Sequence, residues 1–191
     1  QGPDVVHLLL VMGLMEMPYT IAQPFMPIYA HDIKGANECV LGGIAMTSVL
    51  VPMLASLPVG RLADRYGRKK LLFAIAPLPY LANLILIYAP VTGVGASLSL
   101  LLYGLLFGFN SISMALASSM AAEIMPQEQM GRWIGVVGLV RGLLSIPAPL
   151  VGGLIWEQIG PQYVFLAAIA IDVCLRLPLL AMIPETLHWR K

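Results

Sequence analysis

Charge is the property that this sequence has least of. Only 11% of its 191 residues are Asp, Glu, Lys or Arg, against about 25% in a typical soluble domain. Hydrophobic residues make up 59% of the chain, and the formal net charge is +1. This composition excludes an ordinary soluble domain and indicates a protein that crosses a membrane several times. The few basic residues do not line one face, so no nucleic-acid partner is expected.

Cysteine and catalytic motifs are scarce as well. The two cysteines, Cys39 and Cys174, provide neither a disulfide framework nor a metal-ligand spacing. The sequence contains no nucleophile elbow, no His/Glu metal motif and no paired catalytic carboxylates. We therefore expect no metal, no cofactor and no enzymatic activity.

Long apolar runs, by contrast, fill most of the chain. Six of them are found, at residues 5–29, 40–59, 71–89, 96–122, 133–155 and 163–183. Each is near or above the roughly 20 residues that a helix needs to cross the hydrocarbon core. None shows the polar–apolar alternation of a barrel strand. The predicted fold class is all-α integral membrane, with residues 1–191 forming one unit of six transmembrane helices, called spans 1 to 6 below.

The basic residues predict how this unit is oriented. Residues 60–70, between spans 2 and 3, hold five of the eleven Lys and Arg residues. The positive-inside rule places such a segment in the cytoplasm. Counting spans from this segment puts both chain ends in the cytoplasm, with eight basic residues inside and only Lys34 outside. We therefore predict a multi-pass protein of the inner or plasma membrane.

An internal repeat relates the first three spans to the last three. Residues 42–67 align without a gap to residues 135–160, at a shift of 93 residues. The alignment pairs Gly60 with Gly153 and Gly67 with Gly160. Three spans, an odd number, separate the two segments, so they run through the membrane in opposite directions. This pattern is typical of the 3+3 inverted repeats of transporters.

The segment between spans 2 and 3 carries a recognisable motif. It reads Gly60-Arg61-Leu62-Ala63-Asp64-Arg65-Tyr66-Gly67-Arg68-Lys69-Lys70. This resembles the signature of the major facilitator superfamily of secondary transporters: Gly, two variable or small positions, Ala or Ser, Asp, Arg, any residue, Gly, then a run of Arg and Lys. Every fixed position is met. The resemblance implies a carrier built from two six-span halves, of which this chain is one.

Two features bear on which half is present. Span 4 lacks the arginine that the resemblance implies for an amino-terminal half, while residues 131–135 and 149–153 suit a carboxy-terminal half. Pro149, Gly152 and Gly153 also resemble the span 5 motif of the proton antiporters in this family. We favour the carboxy-terminal half and expect the other half upstream of Gln1.

The resemblance also implies a gate at the cytoplasmic end of span 2. Its predicted residues are Gly60, Arg61, Asp64, Arg65, Gly67 and Arg68. Asp64 would face a helix end of the opposite half and hold the gate closed, supported by charge-assisted hydrogen bonds of Arg65 and Arg68. The two glycines would permit close approach and a tight turn. We expect Lys69 and Lys70 to serve only as topology signals.

Polar residues inside the spans predict a ligand or proton site. Glu16, Tyr19 and Gln23 share one face of span 1 at helical spacing. By resemblance, spans 1 and 4 line the substrate cavity. We therefore predict Glu16 as a proton or cation site, with Tyr19, Gln23 and Asn110 as substrate contacts. The alternative is that Glu16 is a structural hydrogen-bond partner in a kinked helix. Arg141 in span 5 is a candidate partner of Glu16, a candidate anion site or part of a structural ion pair.

Asp172 and Arg176 lie four residues apart on span 6, the spacing of an intrahelical ion pair. By resemblance, span 6 is a peripheral support helix. We therefore predict a structural role for this pair.

These observations predict the transport of a small solute by alternating access, coupled to protons, with drug or metabolite efflux as one form. The expected partners are the solute, H+, the lipid bilayer, and either the missing six-helix half or a second copy of this chain. The alternative is a six-helix membrane scaffold or anchoring subunit that transports nothing. A scaffold would not need polar residues on the inner faces of spans 1 and 4.

Overall fold

The computed structural model describes residues 17–91, 93–124 and 130–182. The regular secondary structure of these residues is helical, which confirms the all-α part of the predicted fold class. Within them, five helices are long and apolar enough to cross a membrane, and they coincide with spans 2 to 6. Only the last part of span 1 lies within the described residues.

The helices follow one another through short turns. At the end of span 1, residues 17–22 are helical and lead into a 3-10 turn at Gln23–Phe25, a helical turn at Met26–Ile28 and a π-helical turn at Tyr29–Ile33. Span 2 is the single helix Glu38–Tyr66. Span 3 consists of Arg68–Ile75 and Pro77–Tyr88, and span 4 of Val94–Phe107 and Phe109–Ile124. Span 5 consists of Met130–Ser145 and Ala148–Gln158. Span 6 consists of Pro161–Ile171, a π-helical turn at Asp172–Arg176, and Leu177–Met182.

Prolines lie at several of the interruptions. Pro77 opens the second part of span 3, Pro147 lies in the break of span 5, and Pro178 follows the π-helical turn of span 6. A proline supplies no N–H donor, so the carbonyl one turn earlier loses its usual partner. Pro52 and Pro58 are different, because both lie inside the continuous helix of span 2.

Span 2 is longer than the sequence predicts. Asn37 caps its first turn, with its side-chain oxygen 2.9 Å from the backbone nitrogen of Val40. The helix then continues past residue 59, the predicted end, as far as Tyr66. The predicted end of span 2 was therefore wrong, since residues 60–66 continue the helix. A 29-residue helix is about 43 Å long, which spans the headgroup regions as well as the hydrocarbon core, so charged residues can reach water without leaving the helix.

Gly67 and Gly160, which the internal repeat aligns with each other, each form a turn between two spans. Gly67, between spans 2 and 3, has φ +100°, and Gly160, between spans 5 and 6, has φ +140°. Side chains other than hydrogen are strained in this region, so both turns depend on glycine. In each case a new helix starts at the next residue.

Buried apolar residues form two clusters, one toward each end of the bundle. The cluster near Lys34 includes Ile21, Tyr29, Ile44, Leu86, Leu100 and Phe165. The cluster near Gly67 includes Ala63, Leu72, Ile112, Met120 and Leu180. Both draw on spans from the two halves of the repeat. The described parts of the chain therefore pack as one bundle and not as two separate groups.

Glycines allow the spans to approach closely. An added Cβ at Gly104 or Gly108 of span 4 would lie 2.6 Å from a backbone oxygen of span 2, that of Ile44 or Ser48. At Gly152 of span 5, an added Cβ would lie 2.6 Å from the carbonyl oxygen of Ile21 in span 1. Small residues at such contacts are how helices pack tightly in lipid.

Lysines at opposite ends of the bundle donate to backbone carbonyl groups of other spans. The Lys34 Nζ donates to the carbonyl oxygens of Ile87 and Ala89, both at 2.7 Å, where span 3 ends. The Lys69 Nζ donates to the carbonyl oxygen of Ala181 at 2.8 Å, near the end of span 6. The expectation that Lys69 is only a topology signal was wrong, because this hydrogen bond also ties the start of span 3 to span 6.

We predict that Gly108→Ala destabilises the full-length protein by about 1–3 kcal/mol, because its Cβ would collide with the backbone of span 2. Gly138→Ala is the matched control, since an added Cβ there meets no atom within 4 Å among the described residues. Thermal unfolding in detergent measures both. Equal melting temperatures for the two variants would show that span 4 can move away from span 2 without cost.

We also predict that Lys34→Met destabilises the protein by about 1–3 kcal/mol, because two carbonyl groups lose a donor that water cannot replace while the site stays buried. Lys34 is 6% exposed. The control is Lys70→Met, whose side chain is exposed. The same thermal unfolding experiment applies, and a control variant that loses as much stability as Lys34→Met contradicts the capping role.

Candidate functional site

A small cavity of about 40 Å³ lies among spans 1, 3, 4 and 6. Its apolar wall contains two stacked aromatic contacts, Tyr19 on Phe107 with ring centres 6.0 Å apart, and Tyr103 on Phe107 at 5.3 Å. Its polar lining comes from all four spans: Tyr19, Gln23, Tyr80, Asn83, Asn110, Ser113, Asp172 and Arg176. The cavity therefore places hydrogen-bonding groups inside a bundle that is otherwise apolar.

Three of the side chains predicted as substrate contacts line this one cavity. Tyr19 and Gln23 reach it from span 1, and Asn110 reaches it from span 4, close to the break at Gly108. The fourth member of the predicted site, Glu16, lies outside the described residues, so its contacts with Arg141 are not described. Arg141 itself is half-buried on span 5 and is not among the residues that line the cavity.

Asp172 and Arg176 meet as an ion pair, and a third residue joins them. The Arg176 Nη2 lies 2.5 Å from the Asp172 Oδ2. The Tyr80 hydroxyl from span 3 donates to the same carboxylate oxygen, and the Arg176 Nη2 lies 3.3 Å from that hydroxyl. Both charged side chains are buried, at 6% exposure each. The triad thus ties span 6 to span 3 inside the bundle.

A second cavity, of about 220 Å³, lies between spans 2 and 4 near the Gly67 turn. Asp64, Arg68 and Gly60 line it from one side, and Ala115 and Ser119 line it from the other. The Arg68 Nη2 lies 3.5 Å from the Asp64 Oδ1. The Asp64 side chain remains 54% exposed, so a partner from outside the described residues can reach it.

The other residues of the predicted gate differ in their exposure and in their contacts. Arg61 is exposed, and the Arg65 guanidinium lies 5.4 Å from the centre of the Tyr66 ring. Gly67 makes the predicted tight turn. An added Cβ at Gly60 meets nothing within 4 Å among the described residues, so the expected close approach at this glycine stays a prediction. Its flank is the open cavity and not a packed helix.

Two ionisable groups at the Lys34 end of the bundle have shifted pKa values. Burial disfavours the charged form of Lys34 and lowers the pKa of its ammonium group. The pKa of the exposed His31 is raised, first by its hydrogen bond to Asp32 and then by the charge of that carboxylate. The His31 Nδ1 lies 2.7 Å from the Asp32 Oδ1.

Sequence reasoning missed Tyr80 and Asn83, which complete the polar side of the first cavity. Both lie in span 3, which the sequence analysis treats as a plain apolar segment. A signal was present, since a tyrosine and an asparagine interrupt that apolar run. What the sequence did not show is that Tyr80 bonds to Asp172, 92 positions further along the chain, and that Asn83 lines the same cavity.

The described residues form a bundle of membrane-length helices that surrounds a polar cavity and has a charged, glycine-centred turn at one end. Such an architecture defines a polytopic α-helical membrane protein with an internal polar site. The sequence matches the Major Facilitator Superfamily over residues 8–190. The chain belongs to this family, as the motif at residues 60–70 predicted.

Relatives with assigned names are found at modest identity. The chain is 26% identical to "Multidrug resistance protein 3" of Bacillus subtilis (strain 168), over 98% of this chain and 35% of the relative. It is 28% identical to "Tetracycline resistance protein, class E" of Escherichia coli, over 95% of this chain and 44% of the relative. The chain therefore spans less than half the length of these curated relatives.

We predict that Tyr80→Phe destabilises the full-length protein by about 1–3 kcal/mol, because the buried Asp172 carboxylate loses a donor. Tyr88→Phe is the matched control, since that residue of the same span is 80% exposed. Thermal unfolding in detergent measures both changes. If the two variants melt together, the Tyr80 hydroxyl contributes nothing to joining spans 3 and 6.

Proposed function

We propose that the full-length protein moves a small solute across the membrane by alternating access. The observation that carries this proposal is the meeting of Tyr19, Gln23 and Asn110 at one cavity within the bundle. These residues were predicted as substrate contacts from their positions in spans 1 and 4. Membership of the Major Facilitator Superfamily supports the same function, and no catalytic residue is proposed.

We propose that the chain forms one half of the carrier, with six helices arranged as a 3+3 inverted repeat. The matching positive-φ turns at Gly67 and Gly160 support the repeat. So does the packing, because glycines of span 4 contact span 2, and a glycine of span 5 contacts span 1. If span 1 is exchanged with span 4, and span 2 with span 5, the contact between spans 4 and 2 becomes the contact between spans 1 and 5. That the chain is the carboxy-terminal half stays a prediction.

The carrier needs further helices to enclose its substrate cavity from the other side. The exposed faces of spans 2 and 5 indicate where those helices would pack. In the most apolar stretches of spans 2 and 5, 11% of the residues are buried, against 33% to 44% in spans 3, 4 and 6. We propose that these two faces, related by the repeat, meet the other six-helix half or a second copy of this chain. Lipid would cover the remaining apolar surface.

We further propose that the Gly67 turn is cytoplasmic, together with both chain ends, and that it forms part of a gate. The exposed side of the Asp64 carboxylate beside the 220 Å³ cavity supports this role. A helix amino terminus from the opposite half would be a favourable partner for that carboxylate, because the helix dipole is positive there.

The relatives support export as the direction of transport. Two of them are named for resistance to tetracycline and to multiple drugs. We propose that this carrier exports such compounds in exchange for protons, with Glu16 as the proton-binding carboxylate. A scaffold that transports nothing is less well supported, because it would not need the polar cavity among spans 1, 3, 4 and 6.

The test is drug transport by the full-length protein in proteoliposomes, with tetracycline and ethidium as probes. We expect the wild-type protein to accumulate at least one probe when a pH gradient is imposed, and Glu16→Gln to lose this accumulation. Because an amide cannot carry the proton, the variant should still exchange labelled for unlabelled probe without a gradient.

Glu157→Gln is the control for this experiment, since Glu157 is an exposed carboxylate at the end of span 5. We expect it to transport like the wild type. Gradient-driven transport by Glu16→Gln at the wild-type rate would remove Glu16 from the mechanism. A wild-type protein that moves neither probe would contradict drug export.

A further inference from the structure

The family motif contains five basic residues, and two of them bond within the bundle. The Arg68 guanidinium pairs with Asp64, the one acidic residue of the motif, and Lys69 donates to a backbone carbonyl of span 6. Arg61 and Arg65 are different, because both are exposed and neither forms a salt bridge among the described residues. These two arginines therefore present positive charge that the described part of the chain does not neutralise.

The two arginines lie on one side of the helix of span 2, together with two exposed apolar side chains. Arg61 and Arg65 are four residues apart, so they are neighbours on the helix surface. Leu62 and Tyr66 have the same spacing and lie directly beside them, at 46% and 56% exposure. We call these four residues the basic stripe. Cations next to exposed apolar and aromatic groups are typical of the boundary between hydrocarbon and lipid headgroups.

The depth of the basic stripe agrees with this boundary. The apolar run of span 2 ends at residue 59, while the helix continues to Tyr66. Residues 60–66 therefore add about 10 Å of helix beyond the apolar run. The headgroup region adds roughly 5–7 Å on each side of the hydrocarbon core. The stripe thus lies at the level of the lipid phosphates.

The arginines are arranged to receive an anion. The Arg65 guanidinium lies over the Tyr66 ring, 5.4 Å from its centre. Stacking occupies the flat face of a guanidinium and leaves its N–H donors free in the plane, where they can bind two oxygens of one phosphate. Like charges one turn apart on a helix repel each other. A phosphate held by both Arg61 and Arg65 would remove that repulsion.

The proposed second half of the carrier does not compete for the whole of this surface. Asp64, which the second half would contact, is two residues from both Leu62 and Tyr66. Residues two apart point to nearly opposite sides of a helix. The apolar part of the basic stripe therefore faces away from the proposed contact and toward lipid.

We propose that the basic stripe binds the headgroup of an anionic phospholipid. Arg61 and Arg65 would hold its phosphate, and Leu62 and Tyr66 would contact the upper part of its acyl chains. Basic residues directly beside a membrane span attract anionic lipids in this way. The inference does not depend on the proposed transport function, because lipid binding is measured without a solute or a gradient.

The test is native mass spectrometry of the full-length protein in detergent, titrated with phosphatidylglycerol or phosphatidylcholine. We expect the wild type to bind the anionic phosphatidylglycerol at least about tenfold more tightly. Arg61→Gln and Arg65→Gln should each weaken this binding about fivefold, the effect of one basic residue near an anionic headgroup. Binding of phosphatidylcholine should not change, because its choline group cancels the charge of its phosphate.

Two further variants serve as controls. Arg132→Gln removes an exposed arginine of span 5 that has no second arginine one turn away, and it should leave the phosphatidylglycerol affinity unchanged. Arg61→Lys keeps the positive charge and should bind this lipid like the wild type. A loss in Arg61→Lys as large as in Arg61→Gln would assign the effect to altered folding and overturn the proposal.

Three other results would also overturn the proposal. The first is equal affinity of the wild type for the two lipids. The second is a loss of phosphatidylglycerol binding in Arg132→Gln as large as in the stripe variants, which would indicate a diffuse attraction. The third is displacement of the lipid by excess inorganic phosphate but not by chloride at the same ionic strength. That result would identify a site for free phosphate and not for a lipid.

Discussion

The backbone of this protein has to satisfy its own hydrogen bonds, because hydrocarbon supplies no water to replace a missing partner. This constraint makes the spans helical. The backbone groups that lack a partner within their helix are then concentrated at the helix ends. At the end of span 3, Lys34 supplies a donor to the carbonyl groups of Ile87 and Ala89. At the start of span 2, the Asn37 side-chain oxygen accepts a hydrogen bond from the backbone N–H of Val40.

Packing among the spans depends on close contact and less on the hydrophobic effect, since lipid tails are as apolar as the side chains. Gly104 and Gly108 bring span 4 against span 2, and Gly152 brings span 5 against span 1. These contacts hold the cavity-lining spans in register. The faces of spans 2 and 5 that the bundle does not bury remain for a second half or a second copy, as the proposed carrier requires.

Much of the architecture was predictable because its signals are local. Apolar runs identified spans 2 to 6, and the motif at residues 60–70 identified the family. The prediction failed where a helix end had to be located. The apolar run of span 2 ends at residue 59, but charged residues such as Arg61 and Asp64 are compatible with a helix that protrudes from the membrane, and this helix continues as far as Gly67. The hydrogen bond from Lys69 was missed because Ala181 is distant in the sequence, and backbone carbonyl groups leave no sequence signal.

The sequence by itself determined the helical class, the order of the apolar segments, the turns at Gly67 and Gly160, and the family. Each of these follows from composition or from residues that are close together in the chain. Only the tertiary structure decided that Tyr80 meets Asp172 and Arg176, and that this triad shares a cavity with Tyr19 and Asn110. Such contacts depend on the rotation and tilt of each helix about its neighbours. The packing of the whole bundle sets this rotation and tilt. Because nearly every residue of each span is apolar, the sequence has no clear polar and apolar faces from which they could be predicted.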